Sequence, residues 1–452
     1  MLIRIVIENL FSFGERKEFN MIPNNRLKTL NHHKYDVNGF DLLKLSSIYG
    51  ANGAGKSNLV KSLQLLQQFV VMEKIPLALR NGQFKFNSEN NKKQIIAVEF
   101  IQDNTAFYYG IEILDDIVLT EELYLSGLGH KKDELLFERK TNKNGITKIL
   151  FLKAFEDDER SRLLKSVLLE DIVKPNKPIF RLMANRNNEF LDDVKKAFRW
   201  FLDTLQIITP EVRPEALAHR IDIDKRFHRY VQDTIGSFNT GITSITSERV
   251  EIREFFRDDD GTELEYIIQQ IKNNPERLFI AEGNNSINTI MKEDDGIWVK
   301  SLKIRHTGGD NRSVLFGLEE ESDGTIRLLD FIPAFYELVS RQKVFLIDEI
   351  ERSIHPLLIK ELVKKFSLDS QTKGQLIFTT HESNLLDQEL FRRDEIWFAE
   401  KDETGSTDLY SLSDFKEHKT IDIRKGYLNG RYGSIPFLGN LQDLNWHQHD
   451  TD

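Results

Sequence analysis

Along LIRIVIENLFSF the apolar positions Leu2, Ile3, Ile5 and Ile7 alternate with other residues before Phe11 and Phe13, and this period predicts a strand. DLLKLSSIYG, ending at Gly50, reads as a second apolar strand. The period then changes. Leu59, Val60, Leu63, Leu66 and Val70 fall on one stripe of a helix that begins near Ser57. From 94 to 150 the runs IIAVEFI, AFYYGIEIL and ITKILFL alternate between breaks at DN, DD and NKNG, which predicts an antiparallel β subdomain.

From 155 to 240 the pattern is helical and charged, and VKKAFRWFLDTLQII is its clearest amphipathic piece. After the break TPEVRPE comes RIDIDKRFHRYVQDTIGSF, also helical. Strands are expected from 242 to 321, punctuated by DDDG at 258–261 and EDDG at 293–296. Those acidic clusters read first as solvated turns, with a metal site as the lesser reading. A helix should run from Asp323 through IRLLDFIPAFYELV despite Pro333. VFLIDEI is then a buried strand, LLIKELVKKF a helix, QLIFTTH another buried strand and EIWFAEK a further strand.

The 452 residues suggest two to three domains, and no apolar run is long enough to span a membrane. MLIRIVIENLF is too short and strand-like for a signal peptide. The absence of cysteine removes disulfides, thiolate zinc sites and cysteine nucleophiles, and the cytoplasm is the simplest compartment. A net charge of −10 argues against DNA wrapped over the whole surface but leaves room for a local basic groove.

Chemistry concentrates in three places. GANGAGKSN, residues 50–58, matches G-x-x-x-x-G-K-S between a strand and a helix. Gly50, Asn52, Gly53 and Gly55 shape a loop whose N–H groups cradle phosphate, with Asn58 just beyond. Lys56 is expected on the β- and γ-phosphates of ATP, and Ser57 on Mg2+. VFLIDEI ends in Asp348, placed to hold the magnesium, and Glu349, the base or positioner for attacking water. Two acids at a buried strand tip are costly without a compensating cation or hydrogen bonds. QLIFTTHE ends in Thr379, Thr380 and His381; on a neighbouring parallel strand, His381 would reach the γ-phosphate at the same carboxyl edge.

These parts in this order resemble ABC-type ATPase heads. Such heads carry a serine-glycine turn at a helix start that contacts nucleotide on the other subunit, and EESDGTIRLLDF fills that place with Ser322, Gly324 and Thr325. The alternative reading of Ser322 is a plain helix cap. The stretches IENLFSFGERKEFN, GANGAGKSNLVKSL, LIDEIERSIHPLLIKELV, QLIFTTHESNLLD and DEIWFAEKDETGSTDLYSLSDF together look like ATP-binding proteins of the RloA and abortive-infection type. These belong to the OLD-like, SMC-related ABC ATPases of bacterial anti-phage defence. The resemblance covers roughly residues 1–100 and 310–440 and does not reach the middle of the chain. It places His355 at a dimer interface.

The resemblance implies an α/β fold: an ABC-type P-loop NTPase head with a split nucleotide-binding domain, an antiparallel β subdomain and an inserted helical module. Residues 1–154 would form the N-terminal ATPase lobe, 155–241 the helical insertion and 242–452 the C-terminal lobe. It also implies ATP and Mg2+ as cofactors, catalytic roles for Lys56, Glu349 and His381, and a homodimer or larger even assembly. The expected output is control of a separate effector, a Toprim-like nuclease being the leading candidate, since no Toprim domain is expected after His381. A phage-encoded trigger and DNA stay open as partners. The alternatives are a RecF- or SMC-like repair ATPase and an ATP-binding scaffold with little turnover.

Overall fold

The computed structural model describes residues 1–86, 93–214, 216–238, 241–256, 261–283, 286–293, 295–309, 312–416 and 421–435. The fold is mixed α/β, as expected. It divides into two compact units: 1–207 with 342–350 and 363–452, and 208–341 with 351–362. The second unit therefore begins inside the stretch read as one helical insertion, at Ile208.

The first unit contains two sheets. One has seven strands, in the order Thr147–Phe151, Glu134–Thr141, Ile117–Leu125, Thr105–Leu114, Gln94–Gln102, Leu2–Glu8, Lys17–Asn20. Its neighbouring strands pair antiparallel, which is the β subdomain expected from the alternating runs. The other is a six-stranded sheet, in the order Leu205–Ile208, Val344–Ile347, Gln375–Thr379, Leu45–Tyr49, Ile396–Lys401, Thr407–Ser411. Its central strands are parallel, and Thr407–Ser411 runs antiparallel at one edge. Val344–Ile347 and Gln375–Thr379 are buried throughout, which is why both read as continuous apolar runs.

The helix Lys56–Met72 buries the stripe Leu59, Val60, Leu63, Leu66 and Val70, together with Leu65 and Phe69. Aromatic rings fill the core beside the antiparallel sheet. Trp200 stacks on Phe100 at 4.3 Å, and Phe180 and Phe201 close on Tyr109.

The second unit has a five-stranded sheet. Four strands run in the order Ile242–Glu251, Gly296–Thr307, Ser286–Glu293, Phe279–Gly283, and Ser313–Gly317 also pairs with Gly296–Thr307. The helix Gly261–Asn273 packs Leu264, Ile268 and Ile271 with Ile252, Ile290 and Val299. The helix Asp323–Ser340 carries Pro333 inside it, as expected, and sets Tyr336 against Phe227 and Tyr230.

Several readings change. DLLKLSSIYG forms two strands, Phe40–Leu43 and Leu45–Tyr49, separated by the buried Lys44, whose ammonium donates to the carbonyls of Phe366 and Asp369. VKKAFRWFLDTLQII is helical only to Thr204; LQII becomes the edge strand Leu205–Ile208. RIDIDKRFHRYVQDTIGSF breaks at Asp224, whose carboxylate caps Lys225–Gly236 by accepting from Arg226 and Phe227. Helix Gly261–Asn273 lies where strands were expected. Of the acidic turns, 258–260 and Asp294 lie outside the described residues, while Asp295 pairs with Arg249 and accepts from Trp298. Among the described residues no group of three or more His, Asp or Glu side chains gathers to hold a metal ion.

Candidate functional site

Three neighbouring parallel strands of the first unit bring their carboxyl ends to one edge. Ile347 leads to Asp348, Thr379 leads to Thr380 and His381, and Tyr49 leads to Gly50. The edge of such a sheet is where helix N-termini and loops meet ligands. Here the loop 50–57 turns directly into the helix Lys56–Met72.

Two glycines of this loop are fixed by conformation, and Gly55 by space as well. Gly53 has φ +78°, and Gly55 has φ +107°. A Cβ on Gly55 would stand 2.1 Å from Thr407 Oγ1 and 2.6 Å from Ser12 Oγ. Both residues belong to a brace that the sequence did not reveal. Thr407 Oγ1 lies 2.7 Å from Ser12 Oγ and 2.8 Å from the Ala54 carbonyl, and Thr407 N–H donates to the Ser12 carbonyl at 2.6 Å. Asn58 donates its side-chain amide to Ser12 Oγ at 2.8 Å, so its side chain joins the brace. Asn52 and Gly53 are exposed at the crest of the loop.

Lys56 is buried at 5 % exposure. Its ammonium donates to the carbonyls of Gly50 at 2.7 Å and Ala51 at 3.1 Å, and lies 3.4 Å from His381 Nδ1. An anionic phosphate oxygen is a stronger acceptor for this cation than the neutral carbonyls of Gly50 and Ala51. Lys56 and His381 are thus neighbours although far apart in sequence.

Asp348 is nearly buried, and two hydroxyls converge on its Oδ1: Ser57 Oγ at 3.1 Å and Thr379 Oγ1 at 2.5 Å. The buried carboxylate is thereby hydrogen-bonded, which meets the cost of its position. Thr379 also accepts from Glu349 N–H at 2.8 Å through its hydroxyl and from Ile350 N–H at 3.2 Å through its carbonyl. These bonds hold Glu349 at φ +51°, a region that side chains other than glycine rarely adopt. Non-glycine backbone held in this region clusters at functional sites. Glu349 is half-buried and His381 exposed, both at the same sheet edge.

Ser57 and Asp348 suit a small hard cation. A hydroxyl and a carboxylate oxygen meet at 3.1 Å, and magnesium beside phosphates needs one or two such protein groups, the rest being water and phosphate oxygen.

The serine-glycine turn lies in the second unit. Ser322 caps the helix Asp323–Ser340, its hydroxyl accepting from Thr325 N–H at 3.2 Å and lying 3.0 Å from Thr325 Oγ1. The capping reading thus describes its state in a single chain, and Ser322 is exposed. Gly324 is packed. A Cβ there would stand 2.8 Å from the carbonyl of Ser353, which itself has φ +62°. The exposed His355 accepts from Leu357 N–H at 3.3 Å through Nδ1, at the start of the helix Pro356–Leu368.

No curated protein matches the chain. Among solved structures, an SMC head bound to the C-winged helix domain of ScpA is 12% identical over 91% of this chain and 97% of its own, with a TM-score of 0.41. The SMC head domain from Thermotoga maritima is 11% identical over 91% and 98%, at 0.37. An Smc head domain with an extended coiled coil, bound to the C-terminal domain of ScpA derived from Pyrococcus furiosus, is 10% identical over 95% and 98%, at 0.38. No helix among the described residues is long and apolar enough to cross a membrane. Residues 45–387, which include the loop, the Asp348–Glu349 tip and His381, match the family model described as "AAA domain, putative AbiEii toxin, Type IV TA system", and the chain belongs to that family of P-loop ATPase domains.

Proposed function

We propose that the chain is an ABC-type ATPase head that couples ATP binding and hydrolysis to the pairing and release of two copies. The observation that carries this is the meeting of Ser57 and Thr379 on one oxygen of Asp348, next to Lys56 and Glu349. It brings a loop of the phosphate-binding pattern, a hydroxyl–carboxylate pair and a second acid to one place, which supports the reading beyond what the loop alone would.

On this reading the loop N–H groups and the N-terminus of Lys56–Met72 hold the phosphates, and Lys56 leaves the Gly50 and Ala51 carbonyls for them. Magnesium, when bound at Ser57 and Asp348, offsets the phosphate charge. Glu349 takes the proton of the attacking water. His381, beside Lys56, hydrogen-bonds the γ-phosphate. Ser322, Gly324 and Thr325 of a second copy complete the site. Ser322 turns its O–H from Thr325 Oγ1 to donate to a phosphate oxygen while still accepting from Thr325 N–H, and Gly324 admits the Ser353 carbonyl at the turn.

The biological output we infer is anti-phage defence through a separate effector, such as a Toprim-like nuclease. The family description, which names a toxin, supports the defence setting. Glu349→Gln keeps shape and removes the base. It should bind ATP normally, accumulate paired copies and lose turnover by about 10²-fold or more, the scale of general-base loss. Near wild-type turnover would place the base elsewhere. Duplex DNA that stimulates turnover would favour a repair role instead.

A further inference from the structure

The helix Asp323–Ser340 buries two opposite charges one turn apart. Arg327 is 5 % exposed and Asp330 8 %. They are not hydrogen-bonded to each other, since Arg327 Nη1 stands 4.0 Å from Asp330 Oδ2. The guanidinium reaches the carbonyls of Val212 and Thr209 only at 3.4 Å, and its Nε–H has no hydrogen-bond acceptor. Its carbon lies 4.5 Å from the centre of the Phe331 ring. A buried guanidinium held by two long bonds, with an orphaned N–H, has donor capacity that the protein does not use.

That side chain lines a cavity of about 180 Å³. Arg213 and Arg352 are on its wall, as are Asp323 and Ser353. The close approach of the Ser353 carbonyl to Gly324 brings the 351–355 turn against this end of the helix. The balance of charge favours an anion. Three guanidinium groups and two acids line the cavity, Glu211 stands 3.8 Å from Arg352 as a third acid, and burial pushes the Asp330 carboxyl up to about 7 against the pull of Arg213 and Arg327. Near neutrality Asp330 therefore carries only part of a negative charge, and when protonated it is a donor. The volume is below the range of pockets that hold drug-sized ligands, roughly 300–1,000 Å³, so a whole nucleotide does not fit and a tetrahedral oxyanion does.

We propose that this cavity of the second unit binds a small oxyanion of the phosphate class through Arg327, with Arg213 and Arg352 beside it. The anion accepts from the Arg327 Nη groups, whose own bonds to the Thr209 and Val212 carbonyls are long. Two sources share this chemistry: free inorganic phosphate and the phosphoryl end of a nucleotide.

The test uses the full chain carrying Lys56→Ala, which silences the phosphate loop and keeps the outcome separate from that of the ATPase reading. Inorganic phosphate titrated into this protein in a calorimeter should bind at one saturable site. Adding Arg327→Gln should weaken binding about tenfold or more, the scale of one charge-assisted hydrogen bond. Arg213→Gln, on the half-exposed wall, should weaken it severalfold and guards against a fold defect at the buried Arg327. Asp330→Asn removes the residual negative charge and should tighten it. Competition by ATP, dependent on Arg327, assigns the phosphoryl end as the source; binding of phosphate without ATP competition assigns the free ion. No saturable binding of either probe, or binding that all three substitutions leave unchanged, overturns the site.

Discussion

Thr379 ties the two acids of the strand tip together. Its hydroxyl touches Asp348 Oδ1 and accepts from Glu349 N–H, so one side chain sets both the position of the carboxylate and the left-handed backbone of Glu349. Thr379→Val keeps the volume and loses both bonds. Leaving this half-buried N–H without its acceptor costs up to about 1–3 kcal/mol, which works against the strained turn of Glu349. Turnover should fall about tenfold or more with ATP affinity little changed, and Thr379→Ser should restore it. Equal loss in both variants would point to packing instead. Asp330 gives a pH signature at the same scale. Its carboxyl moves from the ordinary 3.8 to about 7 in the fold. Below pH 4 it is protonated folded or unfolded and costs nothing. Above pH 7 it must ionise against burial, so the fold loses stability progressively between these values. The loss reaches up to about 4 kcal/mol, because each pH unit in that window is worth ~1.4 kcal/mol. Asp330→Asn should therefore raise Tm at pH 8 in buffer free of phosphate and sulfate, and the gain should shrink by more than half at pH 5. The same gain at both values would remove burial of the charge as its cause.

At the scale of elements, the start of the helix Asp323–Ser340 depends on Gly324. Its missing side chain admits the Ser353 carbonyl, so Gly324→Ala places a methyl 2.8 Å from backbone oxygen. Backbone cannot yield as a flexible side chain does, and the helix start must part from the 351–355 turn. ATP binding, which the proposed site assigns to the first unit, should survive in an equilibrium titration while turnover drops; loss of both together would mean the substitution unfolds the chain. This contact was not legible in the sequence, because a glycine after serine and aspartate also suits an ordinary cap. The phosphate loop and the two buried strand tips were legible, since each is a local motif joined to a period of its own: a helical stripe after Ser57, continuous apolar runs before Asp348 and Thr380. LQII was not. Its apolar residues follow an amphipathic helix in phase, and only pairing with Val344–Ile347 makes it a strand. Leu264, Ile268 and Ile271 kept a helical spacing within a region otherwise rich in strands, and the surrounding strands obscured it. Ser12 and Thr407 carry no motif at all; each is a common residue whose partner is supplied by distant chain.

For the whole molecule, the residues read as contacting one nucleotide lie in two different compact units. Lys56, Ser57, Asp348, Glu349 and His381 belong to the first, and Ser322, Gly324 and Thr325 to the second. If the second group serves the nucleotide of another copy, symmetric pairing of two chains builds two composite sites, each with a loop from one chain and a serine turn from the other. Lys56→Ala destroys the loop and Ser322→Arg fills the turn with a large cation, so each variant alone should be inactive. In a mixed pair, one site receives both defects and the other receives neither. Equal mixing should therefore restore roughly a quarter of wild-type turnover, because about half the pairs are mixed and each has one of two sites intact. The measurement is steady-state ATP hydrolysis across a series of mixing ratios, with a maximum expected at equal amounts. Activity that stays at the level of the separate variants at every ratio would require Ser322 to act within its own chain, or not on nucleotide at all, and would remove pairing from the catalytic cycle.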